Sequence, residues 1–141
     1  MKLFVILNKK NLAIILALLI IGFLLMGEFL SAQRSGFDGS TNALRVEYLK
    51  SIKLEPDDSE VASKNIIIPE RFGEVYENYN LIQKKAGFDL SRYKGKEAVL
   101  YTYGLAGEKD REIHLIVLDG KIIGGDIASL KLNGEMKPLK Y

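Results

Sequence analysis

Residues 96–139 read KEAVLYTYGLAGEKDREIHLIVLDGKIIGGDIASLKLNGEMKPL. Val99, Tyr101, Tyr103 and Leu105 alternate with Leu100 and Thr102. After a polar connection over Ala106–Asp110, Ile113, Leu115 and Val117 alternate with His114, Ile116 and Leu118. A period of two is the mark of a strand with distinct faces. Asp119-Gly120 is a strong hairpin signal, because a type I′ turn needs positive φ at both central residues. A further strand is expected over Lys121–Leu132, interrupted by Gly124-Gly125, where a Gly pair reads as a bulge or a close backbone approach. Asn133-Gly134 reads as a second turn of the same kind, and Glu135–Leu139 as a short return strand. The C-terminal half is therefore expected to be an antiparallel meander.

Upstream, the period changes to that of helices. Phe72, Val75, Tyr76, Tyr79, Ile82 and Ala86 lie on one stripe, predicting a helix over Glu70–Ala86. Pro69 suits its first turn, the glutamates at its start and Lys84 and Lys85 at its end complement the dipole, and Gly87 suits a left-handed cap. Glu60–Ile68, rich in β-branched residues, reads as a strand that joins the sheet or lies at its edge. Ala43–Leu54 predicts a shorter amphipathic helix, capped by Ser40, Thr41 or Asn42, with Leu44, Tyr48, Leu49 and Ile52 on its apolar side.

The N-terminus carries a different signal. Lys9 and Lys10 precede an apolar run from Leu12 to Met26. Continued to Leu30, the run reaches roughly the 17–25 residues that span a bilayer core as a helix. Lysines gather before it, so the N-terminus is expected in the cytoplasm and the remainder outside. A signal peptide cleaved after Ala32 and a buried soluble helix are the alternatives. Cysteine is absent, which excludes a lipoprotein anchor, a disulfide framework and a thiolate nucleophile. The expected organisation is a basic flank and transmembrane anchor over 1–30, a tether over 31–42 and one extracytoplasmic α+β domain over 43–141. In that domain a helix packs on an antiparallel sheet of about four strands.

The formal net charge of the chain is +2. Residues 1–30 hold three lysines and one glutamate, so the excess belongs to the anchor flank and the remainder is neutral. Nucleic-acid binding needs clustered positive charge, which is not evident. His114 is the single histidine. Glu112 shares its strand face, a pairing that is weak as acid–base machinery. No metal set accompanies it at ligand spacing, and no cofactor fingerprint is visible around Gly120, Gly124 and Gly125. The serines sit in no nucleophile elbow. What remains is a set of tyrosines, Tyr76, Tyr79, Tyr93, Tyr101 and Tyr103, which with His114 and Asp126 forms a candidate interaction surface.

The phrases AGFDLSRYKGKEAVLYTYGL and LIVLDGKIIGGDIASLKLNGEMKPL carry a resemblance. Their most specific parts are Gly87-Phe88-Asp89-Leu90, Tyr101-Thr102-Tyr103 and Gly124-Gly125-Asp126. They resemble a bacterial family known only as a domain of unknown function, number 4830. The resemblance implies an N-terminal membrane segment, a short helix and an α+β domain, and brings no catalytic residues with it. The expected function is thus a non-enzymatic interaction or accessory module at the bacterial cell envelope, with a protein or peptide as partner. The alternative is a small-ligand-binding or hydrolytic domain whose pocket lies between helix and sheet, lined by Tyr101, Tyr103, His114 or Asp126. A third reading, in which the anchor itself acts through partner helices, lacks a small-xxx-small motif, since Gly22 and Gly27 are five apart.

Overall fold

The computed structural model describes residues 13–23 and 36–139, apart from the side chains of 58–61. It divides into two units, Met1–Ser35 and Gly36–Tyr141. In the first, residues 13–23 form helix α1, whose apolar side chains are exposed. No helix among the described residues is long and apolar enough to cross a membrane. The rest of the expected span, 12 and 24–30, lies outside the described residues, as does 31–35 of the expected tether.

The second unit runs α2 (Asn42–Ser51), β1 (Pro56–Ile67), α3 (Glu74–Lys85), a 3-10 turn (Leu90–Tyr93), β2 (Glu97–Leu105), β3 (Glu108–Leu118), β4 (Lys121–Ser129) and β5 (Met136–Pro138). The strands form one five-stranded antiparallel sheet in the order β1-β2-β3-β4-β5. The expected meander is β2 to β5, and β1 joins it beside β2 as an edge strand. Asp119 and Gly120 have φ of 48° and 76°, as a type I′ turn requires. The second turn differs from expectation. Only Asn133 takes positive φ, at 63°, while the Gly134 N–H donates to the Lys131 carbonyl at 2.8 Å. The β2–β3 connection shortens to Ala106-Gly107, because Glu108–Asp110 belongs to β3.

Both faces of the sheet are covered, where the sequence predicted cover on one. β3 supplies both cores by alternation. Ile113, Leu115 and Val117 meet Tyr48 and Leu49 of α2 together with Tyr103, Ile127 and Leu139. Ile116 turns the other way, toward Ile68, Leu90, Ala98 and Ile123, where Phe72, Tyr76, Tyr79 and Tyr93 pack. Ile113, Leu115 and Ile116 are almost wholly buried, which stabilises by roughly 1.5–3 kcal/mol each. Helix α2 is capped by Thr41, whose hydroxyl accepts from Leu44 N–H at 3.3 Å. Its buried stripe includes the expected Tyr48 and Leu49, with Ile52 packed against them, and adds Arg45, while Leu44 is only half-buried.

Helix α3 starts at Glu74, four residues later than predicted. Ile68 explains the delay. Its N–H donates to Lys96 O at 2.9 Å and its carbonyl accepts from Gly95 N–H at 2.8 Å, so the chain is still tied to the β2 approach. Gly73 then becomes the helix cap. At the far end Gly87, with φ of 89°, closes the helix as expected, and Phe88 N–H returns to the Gln83 carbonyl at 3.0 Å. Gly36–Asn42, expected in the tether, includes an ordered segment beside β4. Gly39 N–H donates to Gly120 O and Ile122 N–H to Phe37 O, both at 2.8 Å.

The Gly pair sits at a bulge. Ile116 faces Gly124 and Val117 faces Ile122, so Ile123 is the extra residue. This sends Ile122 to one core and Ile123 to the other. A Cβ on Gly124 would approach Gln83 Oε1 at 2.9 Å and Leu90 Cδ2 at 3.0 Å, whereas one on Gly125 would run into the His114 carbonyl and lie 2.5 Å from Leu139 Cδ1. Gly125→Ala should therefore cost more than about 2 kcal/mol and Gly124→Ala about 1 kcal/mol, read from urea unfolding. The reverse order would mean that β4 yields more easily than the α3 side chains.

Candidate functional site

The residue with the most concentrated chemistry is Asp126. Its position on β4 faces His114 of β3, which in turn faces Thr102 of β2. Paired residues point to one side of a sheet, here the side covered by α3. Asp126 is only 1% exposed. A buried carboxyl group must be hydrogen-bonded to be tolerated. Its Oδ1 lies 3.0 Å from His114 Nδ1, and its Oδ2 accepts from the Tyr79 hydroxyl at 2.7 Å. The second ring nitrogen, His114 Nε2, lies 3.7 Å from Glu112 Oε2.

These contacts set protonation. The hydrogen bond to Asp126 raises the His114 pKa, burial opposes it, and the charges of Asp126 and Glu112 add to the rise. Burial and the neighbouring Asp126 push the Tyr79 hydroxyl far above the usual phenol range, so it stays a donor. One turn along α3, Gln83 is wholly buried and its Oε1 accepts from Gly125 N–H at 2.8 Å, while its Nε2 has no partner among the described residues. Asn80 holds the next turn. It donates to Asp89 Oδ1 at 3.0 Å and accepts from Leu90 N–H at 2.8 Å. Asp89 also caps Ser91, whose hydrogen bonds pull its carboxyl down to about 2.

The sequence candidates fall on two faces. Tyr79, His114 and Asp126 are bonded together, Tyr76 meets Tyr79 edge-on at 5.6 Å, and Tyr93 packs in the same core. Tyr101 and Tyr103 lie on the opposite face, gathered by a residue that sequence reasoning passed over. The Arg45 guanidinium sits 3.5 Å from the centre of the Tyr101 ring; its Nε donates to the Tyr103 hydroxyl at 2.7 Å and its Nη1 to Gly39 O at 2.9 Å. The Tyr103 hydroxyl, wholly buried, donates onward to Asn42 Oδ1 at 2.7 Å. Arg45 falls three and four residues before Tyr48 and Leu49, so its place on the stripe was a readable signal. Gln83, four residues after Tyr79, was readable in the same way.

Chemically, the Asp126–His114–Glu112 array places the His114 ring between two carboxyl groups, which favours its protonated form. A hydrolytic dyad needs one ring nitrogen free to reach a nucleophile, and here Nε2 is turned to Glu112. No set of three ligating side chains that could hold a metal occurs among the described residues. Two grooves lie elsewhere on the domain. One of about 470 Å³ is lined by Asn65, Ile67, Glu97, Val99, Val117 and Asp119. Another, of about 460 Å³, borders Asp57, Gly104 and Glu108 and touches the array only through Glu112.

These features define an α+β domain with a buried acid–histidine–tyrosine cluster under one helix and a buried arginine under another. The chain belongs to the family described as Domain of unknown function (DUF4830), whose model matches residues 49–127, more than half of its length. That stretch contains Tyr79, His114 and Asp126 and leaves out Arg45. No curated protein and no solved structure matches the chain.

The raised His114 pKa fixes the sign of a pH dependence. Its contribution to stability is complete below the ordinary imidazole value of about 6.5 and is lost as pH rises through the raised value. Urea midpoints of the wild type should fall over that interval, and His114→Gln should flatten the profile. Asp126→Ala strands both Tyr79 and His114 and should cost about 3 kcal/mol. A wild-type profile already flat across this range would mean that the pair gains nothing from protonation.

Proposed function

We propose that this protein is a non-enzymatic interaction module at the bacterial cell envelope. The observation that carries the reading is the outer side of β1, an edge strand of twelve residues with exposed Ile67 near its end. Edge strands offer a row of backbone donors and acceptors to an added segment. The His114–Asp126 array, with both nitrogens turned to carboxylates, supports this reading over the hydrolytic one. The tyrosines serve it indirectly, since Tyr79 and Tyr103 spend their hydroxyls on internal partners.

The place of action is part of the proposal. Anchoring is supported by the lysine-flanked apolar run and by α1, in which Leu19 and Phe23 expose most of their surface. A single-pass anchor with a cytoplasmic N-terminus puts the α+β domain outside the membrane. The third reading, action through the anchor alone, gains nothing from the folded domain.

Protease shaving of intact protoplasts that carry a C-terminally tagged copy tests this. The tag should be lost on shaving, and the mass beforehand should be that of the full chain. A protected tag would place the domain inside and overturn the envelope reading. A mass lacking the first thirty-odd residues would replace anchoring with release.

A further inference from the structure

The two edges of the sheet are treated differently. The outer edge of β4 is occupied twice, by β5 along Asp126–Ala128 and by Phe37–Gly39 along Gly120–Ile122. β5 itself is three residues long and includes Pro138, both of which blunt an edge. Among the described residues β1 pairs with β2 on one side only. Its first half is irregular, with register shifts at Pro56/Glu60 and Glu60/Ala62. From Ala62 to Ile67 the register with β2 runs unbroken. Residues 62–65 and 67 are exposed.

Alternation tells which backbone groups are free. Ile68 N–H and C=O both turn toward the β2 side. In an antiparallel strand successive residues turn their backbone groups to opposite sides. Those of Ile67, Asn65 and Ser63 therefore point outward. The side chains of these three residues share the face of Tyr101, Val99 and Glu97, their partners on β2. On that face lies the groove of about 470 Å³, with an apolar floor of Val99, Val117 and Ile67 and two exposed carboxylates, Glu97 and Asp119. Asp119 is held in place by its left-handed turn conformation.

Resting on the interaction-module reading, we propose that β1 accepts an extended peptide segment of a partner protein as an added antiparallel strand. A lysine or arginine of that segment lays its stem over Ile67 toward Val99 and brings its charge to Glu97, with Asp119 one strand further on adding to the negative field. A basic side chain suits such a site because its stem is apolar and its head cationic. Charge complementarity also decides against a second copy of this chain. Paired across Ser63, Asn65 and Ile67, a second copy would present only those uncharged side chains on the groove face, with Lys64 on the opposite face.

The probe is a labelled eight-residue peptide of alternating threonine and valine with one central lysine, titrated by fluorescence anisotropy onto the full chain in detergent micelles. It should bind at least about tenfold more tightly than the same peptide with glutamate for lysine. The double variant Glu97→Gln, Asp119→Asn should erase that preference. Asn65→Pro removes an outward N–H without touching the ladder to β2 and should abolish binding. Backbone N-methylation of the peptide should do the same, which keeps the test valid if the proline variant fails to fold. Equal affinity for the two peptides, indifference to both backbone changes, or no binding at about 1 mM overturns the proposal. A photo-crosslinker placed at Asn65 and, separately, at exposed Val75 of α3 in intact cells separates the two readings. Partner capture from Val75 alone overturns the β1 site and leaves an interaction module. Capture from neither overturns both.

Discussion

The placement of a buried guanidinium governs one whole side of this domain. Arg45 is 4% exposed, and taking a cation that far from water costs several kcal/mol unless its donors are met. They are met by three partners from two parts of the chain: the Gly39 carbonyl of the incoming segment, and on β2 the Tyr103 hydroxyl and the face of the Tyr101 ring. Gly39 is far in sequence from the two tyrosines, which stand two residues apart on β2. Satisfying the cation therefore fixes the azimuth of α2, the path of residues 36–39 along β4 and the rotamers of two tyrosines together. Arginine's rigid planar fork suits this better than lysine would. Phe37 reinforces it by stacking on Tyr48 at 4.5 Å.

The opposite side is organised by an anion. Asp126 under α3 mirrors Arg45 under α2: one buried charged residue, a tyrosine hydroxyl, and a third partner on a neighbouring element. The tyrosine comes from the helix on one side and from the sheet on the other. Apolar packing alone tolerates sliding of a helix along a sheet, since many apolar contacts are near equivalent. A buried polar pair does not, because a shift leaves groups unpaired. Tyr79–Asp126 and Gln83–Gly125 set the position of α3 on β4 at two points one turn apart. The missing side chain at Gly124, beside the bulge at Ile123, makes room for the second, since a Cβ there would crowd Gln83 and Leu90.

The sequence was most informative where one local rule decides the outcome. Period-two alternation and Asp119-Gly120 placed β2, β3 and their neighbour, and Gly87 ended α3 where it should. It was less informative where distant partners override local preference. Pro69 and Glu70 favour a helix start, yet Ile68 is still bonded to Lys96 and Gly95, and α3 waits for Gly73. Asn133-Gly134 has turn chemistry but not the type expected, because the Gly134 N–H closes on Lys131. The candidate residues were partly readable: Tyr79, His114 and Asp126 converge, while Tyr101 and Tyr103 go to the other face. Alternation alone separates odd from even positions on β2 and β3, but it does not tell which face a distant helix covers. Arg45 was hidden by the habit of assigning charge to water. Its spacing to Tyr48 and Leu49 put it on the buried stripe all along.

The same constraints explain why the molecule has one closed margin and one open one. Arg45 draws residues 36–39 against the start of β4, and β5 pairs with Asp126–Ala128 near its end, so much of this edge is used by the chain itself. Tyr79 and Gln83 hold α3 over β4 rather than beside β1. The helix connecting β1 to β2 therefore crosses above the sheet and leaves the outer side of β1 unpaired among the described residues. Irregular pairing with β2 disrupts its first half, a feature that blunts many sheet edges. From Ala62 to Ile67 this device does not operate. On the proposed reading, an edge whose first half pairs irregularly, beside a groove that carries acidic groups, rejects general pairing while remaining available to a segment of matching charge.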